Sequence, residues 1–116
     1  TTASDALWAG LPLVTKLGQG FAARVAGSLL TSIDLPELIV KNNKDYELLI
    51  LDLAKNPKRL VTIREKLASN RLSTPLFNTE LFTKHIEDSY QQAYQQYADG
   101  KPSKNILVTD QLTSEA

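Results

Sequence analysis

Apolar residues along this chain recur mostly three and four positions apart, the spacing of one helix face. Phe21, Val25 and Leu29, with Ser28 beside them, predict a helix over 21–31, and Ala22, Ala23, Ala26 and Gly27 leave room for a close neighbour. Tyr46, Leu49, Ile50 and Leu53 predict another over 44–55, capped by Asn42 or Asn43. Leu48 and Leu51 add a second apolar side there, which predicts burial from two directions. Asn56-Pro57 restarts the chain as a helix to about residue 70, with Leu60, Ile63 and Leu67 inward. Phe82, Ile86, Tyr90, Ala93 and Tyr97 share one side of the longest helix, which Asn78 or Thr79 caps. Asp99-Gly100-Lys101-Pro102 ends it near residue 98.

Shorter elements lie between these helices. Residues 4–9 predict a brief helix stopped by Gly10, and Leu11-Pro12-Leu13-Val14-Thr15 reads as a short buried strand. Gly18-Gln19-Gly20 is a turn. Asp34-Leu35-Pro36-Glu37 has capping-box spacing with proline in the first turn, so a brief helix starts there. Ser73-Thr74-Pro75-Leu76-Phe77 reads as an extended connection, and Ile106-Leu107-Val108 as a late strand or an extended tail before a polar end, 109–116. One strand cannot satisfy its own edges. A strand between two helices is half of a βαβ unit, so its parallel neighbours are expected from elsewhere. The expected class is a mostly helical α/β fragment.

Composition narrows the function classes. Thirteen basic residues balance thirteen acidic ones, so the net charge gives no electrostatic case for nucleic acid or an anionic membrane, which both want a basic face. The chain has no cysteine, which excludes disulfides and thiolate metal sites and fits a reducing compartment. The expected location is therefore cytoplasmic. No apolar run approaches ~20 residues, the length that spans a bilayer. The start has neither basic residues nor a continuous apolar stretch, so it does not read as a signal peptide, and with no methionine anywhere the natural N-terminus is expected to lie before Thr1.

The first turn of the first helix holds the candidate chemistry. A helix start offers unpartnered amides and the positive end of the macrodipole, a natural place for phosphate. Thr1, Thr2 and Asp5 stand there. Thr2-x-x-Asp5 is also close to a capping box, so a plain N-cap is the competing reading. If the turn binds a nucleotide, the Thr1 and Thr2 hydroxyls suit the phosphates. A carboxylate would repel phosphate, so Asp5 suits ribose hydroxyls instead. Elsewhere the signals are weaker. Gly18-Gln19-Gly20 lacks a full glycine-rich fingerprint and reads as an ordinary turn. The only histidine, His85, lies among Lys84, Glu87 and Asp88 on a solvated face, without a second ligand or base at helical spacing. Arg24 reads as a surface ion-pair partner before a phosphate ligand, Tyr90, Tyr94 and Tyr97 as packing, and Trp8 as the anchor of the first helix in a core. No catalytic residue is named.

Several ordered motifs carry a family resemblance. Asp5-Ala6-Leu7-Trp8-Ala9-Gly10-Leu11-Pro12-Leu13-Val14-Thr15 resembles the opening of the last part of the catalytic region of protein O-GlcNAc transferases. Phe21-Ala22-Ala23-Arg24-Val25-Ala26-Gly27-Ser28-Leu29-Leu30 is similar to that family's next helix. Leu35-Pro36-Glu37-Leu38-Ile39-Val40, Asp45-Tyr46-Glu47 and Ser73-Thr74-Pro75-Leu76-Phe77-Asn78 follow in the same order, then a last helix through Phe82, Glu87, Tyr90 and Tyr97. Gln19 departs from the glutamate common in relatives. The resemblance covers residues 1–108.

The resemblance implies the C-terminal portion of the Rossmann-like, nucleotide-sugar-binding lobe of a GT-B glycosyltransferase, here a bacterial type with tetratricopeptide repeats upstream. It implies UDP-N-acetylglucosamine (UDP-GlcNAc) as donor, serine or threonine of proteins as acceptor, and no metal. It matches Thr1 and Thr2 to the threonines that hold the diphosphate and Asp5 to the aspartate that binds the ribose. A histidine just before these threonines, a lysine that assists the leaving diphosphate, and the residues around the uracil are expected upstream. Two alternatives remain: a helical protein-interaction module, and an O-fucosyltransferase of the SPINDLY type.

Overall fold

The computed structural model describes residues 1–109; the expected polar tail falls almost wholly on 110–116, outside the described residues. The chain divides into two compact units, Thr1–Asn78 and a second from Thr79 onward. The first unit runs α1 (Thr2–Trp8), β1 (Thr15–Lys16), α2 (Ala22–Ser32), a 3₁₀ turn Pro36–Leu38, β2 (Ile39–Val40), α3 (Asn43–Lys55), α4 (Pro57–Asn70) and a second 3₁₀ turn Pro75–Phe77. The second unit holds α5 (Thr79–Ala98), followed by chain without helix or strand to Thr109.

Helix ends follow from local chemistry. Asn42 caps α3 by accepting from the Asp45 N–H at 2.8 Å through its Oδ1. Proline opens α4 at its first position, where a missing N–H costs nothing. Glycines in the left-handed region finish α1 and α5: Gly10 has φ 85° and Gly100 φ 66°. At each, two backbone N–H groups fold back onto the last turn, Gly10 to Leu7 and Leu11 to Ala6, Gly100 to Tyr97 and Lys101 to Gln96. Asp34 does the same for α2 at φ 57°, its N–H reaching Thr31 and that of Leu35 reaching Leu30. Asp34 therefore ends one helix and does not cap the next, contrary to its capping-box spacing. The next turn is 3₁₀, and the residue before it is Leu35.

The strand expected at 11–15 is paired only from Thr15, and its partner lies within the chain. Ile39 and Val40 pair in parallel with Thr15 and Lys16, and Leu17 N–H continues the ladder to the Val40 carbonyl at 2.8 Å. β1–α2–β2 is thus a complete, if minimal, βαβ unit. Residues 11–14 form neither helix nor ladder, and within 73–77, expected to be extended, Thr74 is extended but Pro75–Phe77 close as a 3₁₀ turn. Among the described residues no strand forms at 106–108.

The core gathers Leu7, Leu30, Ile33, Leu35, Leu38, Leu53, Ile63 and Leu67. The α4 face is the expected one. On α2 the covered face is that of Gly27 and Leu30, while Phe21 is 81% exposed. On α3 only Leu53 is buried; Tyr46, Leu48, Ile50 and Leu51 stay open, so the second direction of burial is not realised here. On α5 nothing is buried, and Phe82, Tyr90, Tyr94 and Tyr97 are exposed.

Two glycines let the β1–α2 corner close. A Cβ on Gly18 would fall 2.6 Å from the Ala23 Cβ, which cannot swing away. One on Gly27 would meet only the tip of Leu17, at 2.8 Å. Gly18→Ala should therefore cost about 1–3 kcal/mol through overpacking. Gly27→Ala should stay within about 1 kcal/mol of the parent, because gained helix propensity offsets moving one flexible side chain. Chemical denaturation of both variants measures the difference.

Candidate functional site

α1 presents the candidate residues. Leu7, fully buried, fixes the helix to the core. Thr1, Thr2 and Asp5 are all exposed. Thr1 and Asp5 sit four apart and so share a face, with Thr2 roughly a quarter-turn around. The three side chains therefore meet on one side of the helix start.

Thr1 occupies the N-cap position, yet its side chain makes no capping bond. Its carbonyl accepts from the Asp5 N–H at 3.0 Å and from the Ser4 hydroxyl at 2.8 Å. Ser4 is thus spoken for by the backbone. Among the described residues the Thr1 and Thr2 hydroxyls and the Asp5 carboxylate engage no hydrogen bond or ion pair. The amides of Thr2, Ala3 and Ser4, like those opening any helix, have no partner inside it. The capping reading of Thr2-x-x-Asp5 is not realised, and the turn presents open hydroxyls and amides beside one carboxylate. That set can donate to an anion and, through Asp5, accept from sugar hydroxyls.

The weaker candidates fall elsewhere. Gly18 is needed for close packing on Ala23, which accounts for the first glycine of Gly18-Gln19-Gly20 without a ligand. Arg24 is exposed and forms no ion pair among the described residues, contrary to expectation; with Phe21, Val25, Ser28 and Leu29 it lines an open groove along α2. His85 is half-buried on α5, in the other unit. Among the described residues no three of His, Cys, Asp and Glu are grouped to hold a metal ion, and no helix is long and apolar enough to cross a membrane.

Trp8 is not a core anchor. It is 51% exposed and packs edge-on against Phe77, with ring centroids 5.0 Å apart. Arg71 lies over its indole, 63 positions away in sequence. No local spacing signals that contact, so Arg71 carries no signal in the sequence alone.

A model of glycosyl transferase family 41 matches residues 1–86, which include α1, the βαβ unit and both 3₁₀ turns. The chain belongs to glycosyl transferase family 41. Among similar curated proteins, an Arabidopsis thaliana protein named probable UDP-N-acetylglucosamine–peptide N-acetylglucosaminyltransferase SEC is 34% identical over 111 residues, 95% of this chain and 11% of that protein. A Hordeum vulgare protein with the same enzyme name, designated SPINDLY, is 35% identical over 100 residues, 86% of this chain and 11% of its own length. The UDP-N-acetylglucosamine–peptide N-acetylglucosaminyltransferase of Caenorhabditis elegans is 33% identical over 106 residues, 91% of this chain and 9% of its own. The chain spans about a tenth of the length of the curated relatives it matches.

If the Thr1 and Thr2 side chains carry no structural bond, removing them should change little. Thr1→Ala and Thr2→Ala are expected to stay within about 0.5 kcal/mol of the parent. Asn42→Ala, which loses a formed cap, should cost about 0.5–2 kcal/mol. Urea denaturation of the three variants makes the comparison.

Proposed function

We propose that this chain is the part of a protein O-glycosyltransferase that holds the diphosphate and ribose of its nucleotide-sugar donor. The donor is UDP-GlcNAc and the acceptor is serine or threonine of proteins. One observation carries the reading: in a family 41 chain, the hydroxyls of Thr1 and Thr2 and the carboxylate of Asp5 stand, among the described residues, unengaged on the first turn of α1. The parallel β1–α2–β2 unit supports assignment to a Rossmann-like lobe, with further parallel strands added to it by the rest of a GT-B enzyme. The remaining catalytic lobe and tetratricopeptide repeats would lie upstream, in a cytoplasmic protein.

The physical task is to let a nucleoside diphosphate leave with its charge stabilised. The helix dipole contributes about 0.3–1 kcal/mol toward an anion at its N-terminus. A hydrogen bond to a charged group adds roughly 1.5–3 kcal/mol. By analogy with an oxyanion-hole donor, losing one such contact slows turnover by ~10²-fold. Asp5 accepts from the ribose hydroxyls and keeps its charge away from the phosphates. No metal enters this scheme.

A second reading has its own support: Tyr46, Leu48, Ile50 and Leu51 leave an open apolar side on α3, as a helical interaction module would. Calorimetric titration of UDP into the longer enzyme separates the two. Asp5→Ala is expected to weaken UDP binding at least 10-fold while leaving the KM for a peptide acceptor unchanged; unaltered UDP affinity would favour the interaction module. SPINDLY-designated relatives are as similar as the others, 35% against 34%, so branch identity rests on the donor the enzyme accepts. The 116 residues alone, given UDP-GlcNAc and a peptide acceptor, should yield no glycosylated peptide by mass spectrometry, because half a donor pocket positions no acceptor.

A further inference from the structure

α1 ends with one carbonyl that its own turn cannot serve. The left-handed turn at Gly10 satisfies the carbonyls of Ala6 and Leu7, and Ala9 N–H takes that of Asp5. The Trp8 carbonyl is left over. Arg71 Nη1 donates to it at 2.9 Å, and the same guanidinium lies 5.1 Å from the centroid of the Trp8 ring. A cation at this end also complements the negative pole of the helix. The backbone of Arg71 is anchored: it follows α4 directly, its N–H bonds the carbonyl of Leu67, and the Leu67 side chain is fully buried. Phe77, packed on the core, supports the other edge of the indole.

Stability alone accounts poorly for an arginine here. Its Nε is buried with no hydrogen-bond partner, and no carboxylate pairs with it among the described residues. An unmet buried donor opposes folding, whereas an apolar side chain would fill the space without that cost. What only the guanidinium provides is a directional hold on the last carbonyl of α1 together with its indole.

We propose that Arg71 is a positioning residue for the donor: it fixes the tilt of α1 and thereby the places of Thr1, Thr2 and Asp5. The proposal rests on the reading that those three residues hold the donor. A seven-residue helix is about 10 Å long, so a tilt of ~6° at Trp8 moves its start by ~1 Å. Misplacement of that size can cost ~10²-fold in rate. Besides Leu7, no other α1 side chain is buried, so the grip on Trp8, by Arg71 on its carbonyl and ring and by Phe77 on its other edge, is the second point that resists pivoting.

The test uses the longer enzyme and UDP as calorimetric probe, with the KM for UDP-GlcNAc and for a peptide acceptor measured in parallel. Arg71→Met keeps bulk and loses the donor and the charge. It should weaken UDP binding about 10-fold and raise the donor KM while the acceptor KM stays put. Arg71→Lys keeps a cation and one donor and should weaken UDP about 3-fold, which decides the matter if the methionine variant does not fold. Asp5→Ala, run alongside, tests the underlying reading. If Asp5→Ala loses UDP while both Arg71 variants bind it within twofold of the parent, Arg71 does not position the donor. Donor and acceptor KM rising together in the Arg71 variants would equally overturn the proposal, as a general structural loss. If Asp5→Ala binds UDP normally, the donor reading itself falls, and this inference with it.

Discussion

Two strands of two residues each cannot hold together by their ladder alone. β1 and β2 stay parallel because the crossover between them is locked by burial. Leu30, Ile33, Leu35 and Leu38, all fully buried, lie on the return path from α2 to β2. They can face the same interior only if the chain reverses sharply after Ile33, and Asp34 makes that reversal in the left-handed region. A non-glycine residue there carries backbone strain. The two N–H groups of the turn recover part of it by satisfying the last carbonyls of α2.

The candidate site follows from the same arrangement. Leu7 faces this interior, so the rest of the short α1 is directed by one buried side chain and turns its polar start outward. Exposure there is a geometric consequence: with Leu7 inward, Thr1, Thr2 and Asp5 have no core to enter and, among the described residues, no side-chain partner. The far end of the helix has the opposite character, with aromatic contacts and a cation closing its last carbonyl. One end of α1 is held and the other is open.

Local signals were legible in the sequence, and non-local ones were not. Gly10, Asn42, Pro57 and Gly100 act within a turn of themselves, and the helix ends they predict are those observed. The pairing of Thr15 with Ile39 joins residues 24 apart (39 − 15), and nothing in a two-residue strand announces its partner. Apolar spacing says that a face is apolar, not that something covers it. Hence Phe21, Leu48 and Leu51 read as packing positions and stand open. Asp34 shows a different failure: the same residue type favours a helix start and a left-handed stop, and the packing of Leu35 decided between them. That the three candidate residues stand at a helix start was readable because helix-start chemistry is local. That their side chains are unengaged was not, since Thr2-x-x-Asp5 fits a formed cap equally well.

The charge balance of the open turn bears on how a donor would be held. Amides and two hydroxyls attract a diphosphate by a few kcal/mol in all, on the order of two charge-assisted bonds. The Asp5 carboxylate on the same face opposes part of this, and neither lysine nor arginine stands in α1. Arg71, at the opposite end, serves the helix and not its start. A leaving diphosphate carries more negative charge than such a turn can neutralise, so on the proposed reading the turn orients the donor and a cation from another part of the enzyme completes the charge. Orientation is what a helix held at its far end is suited to give.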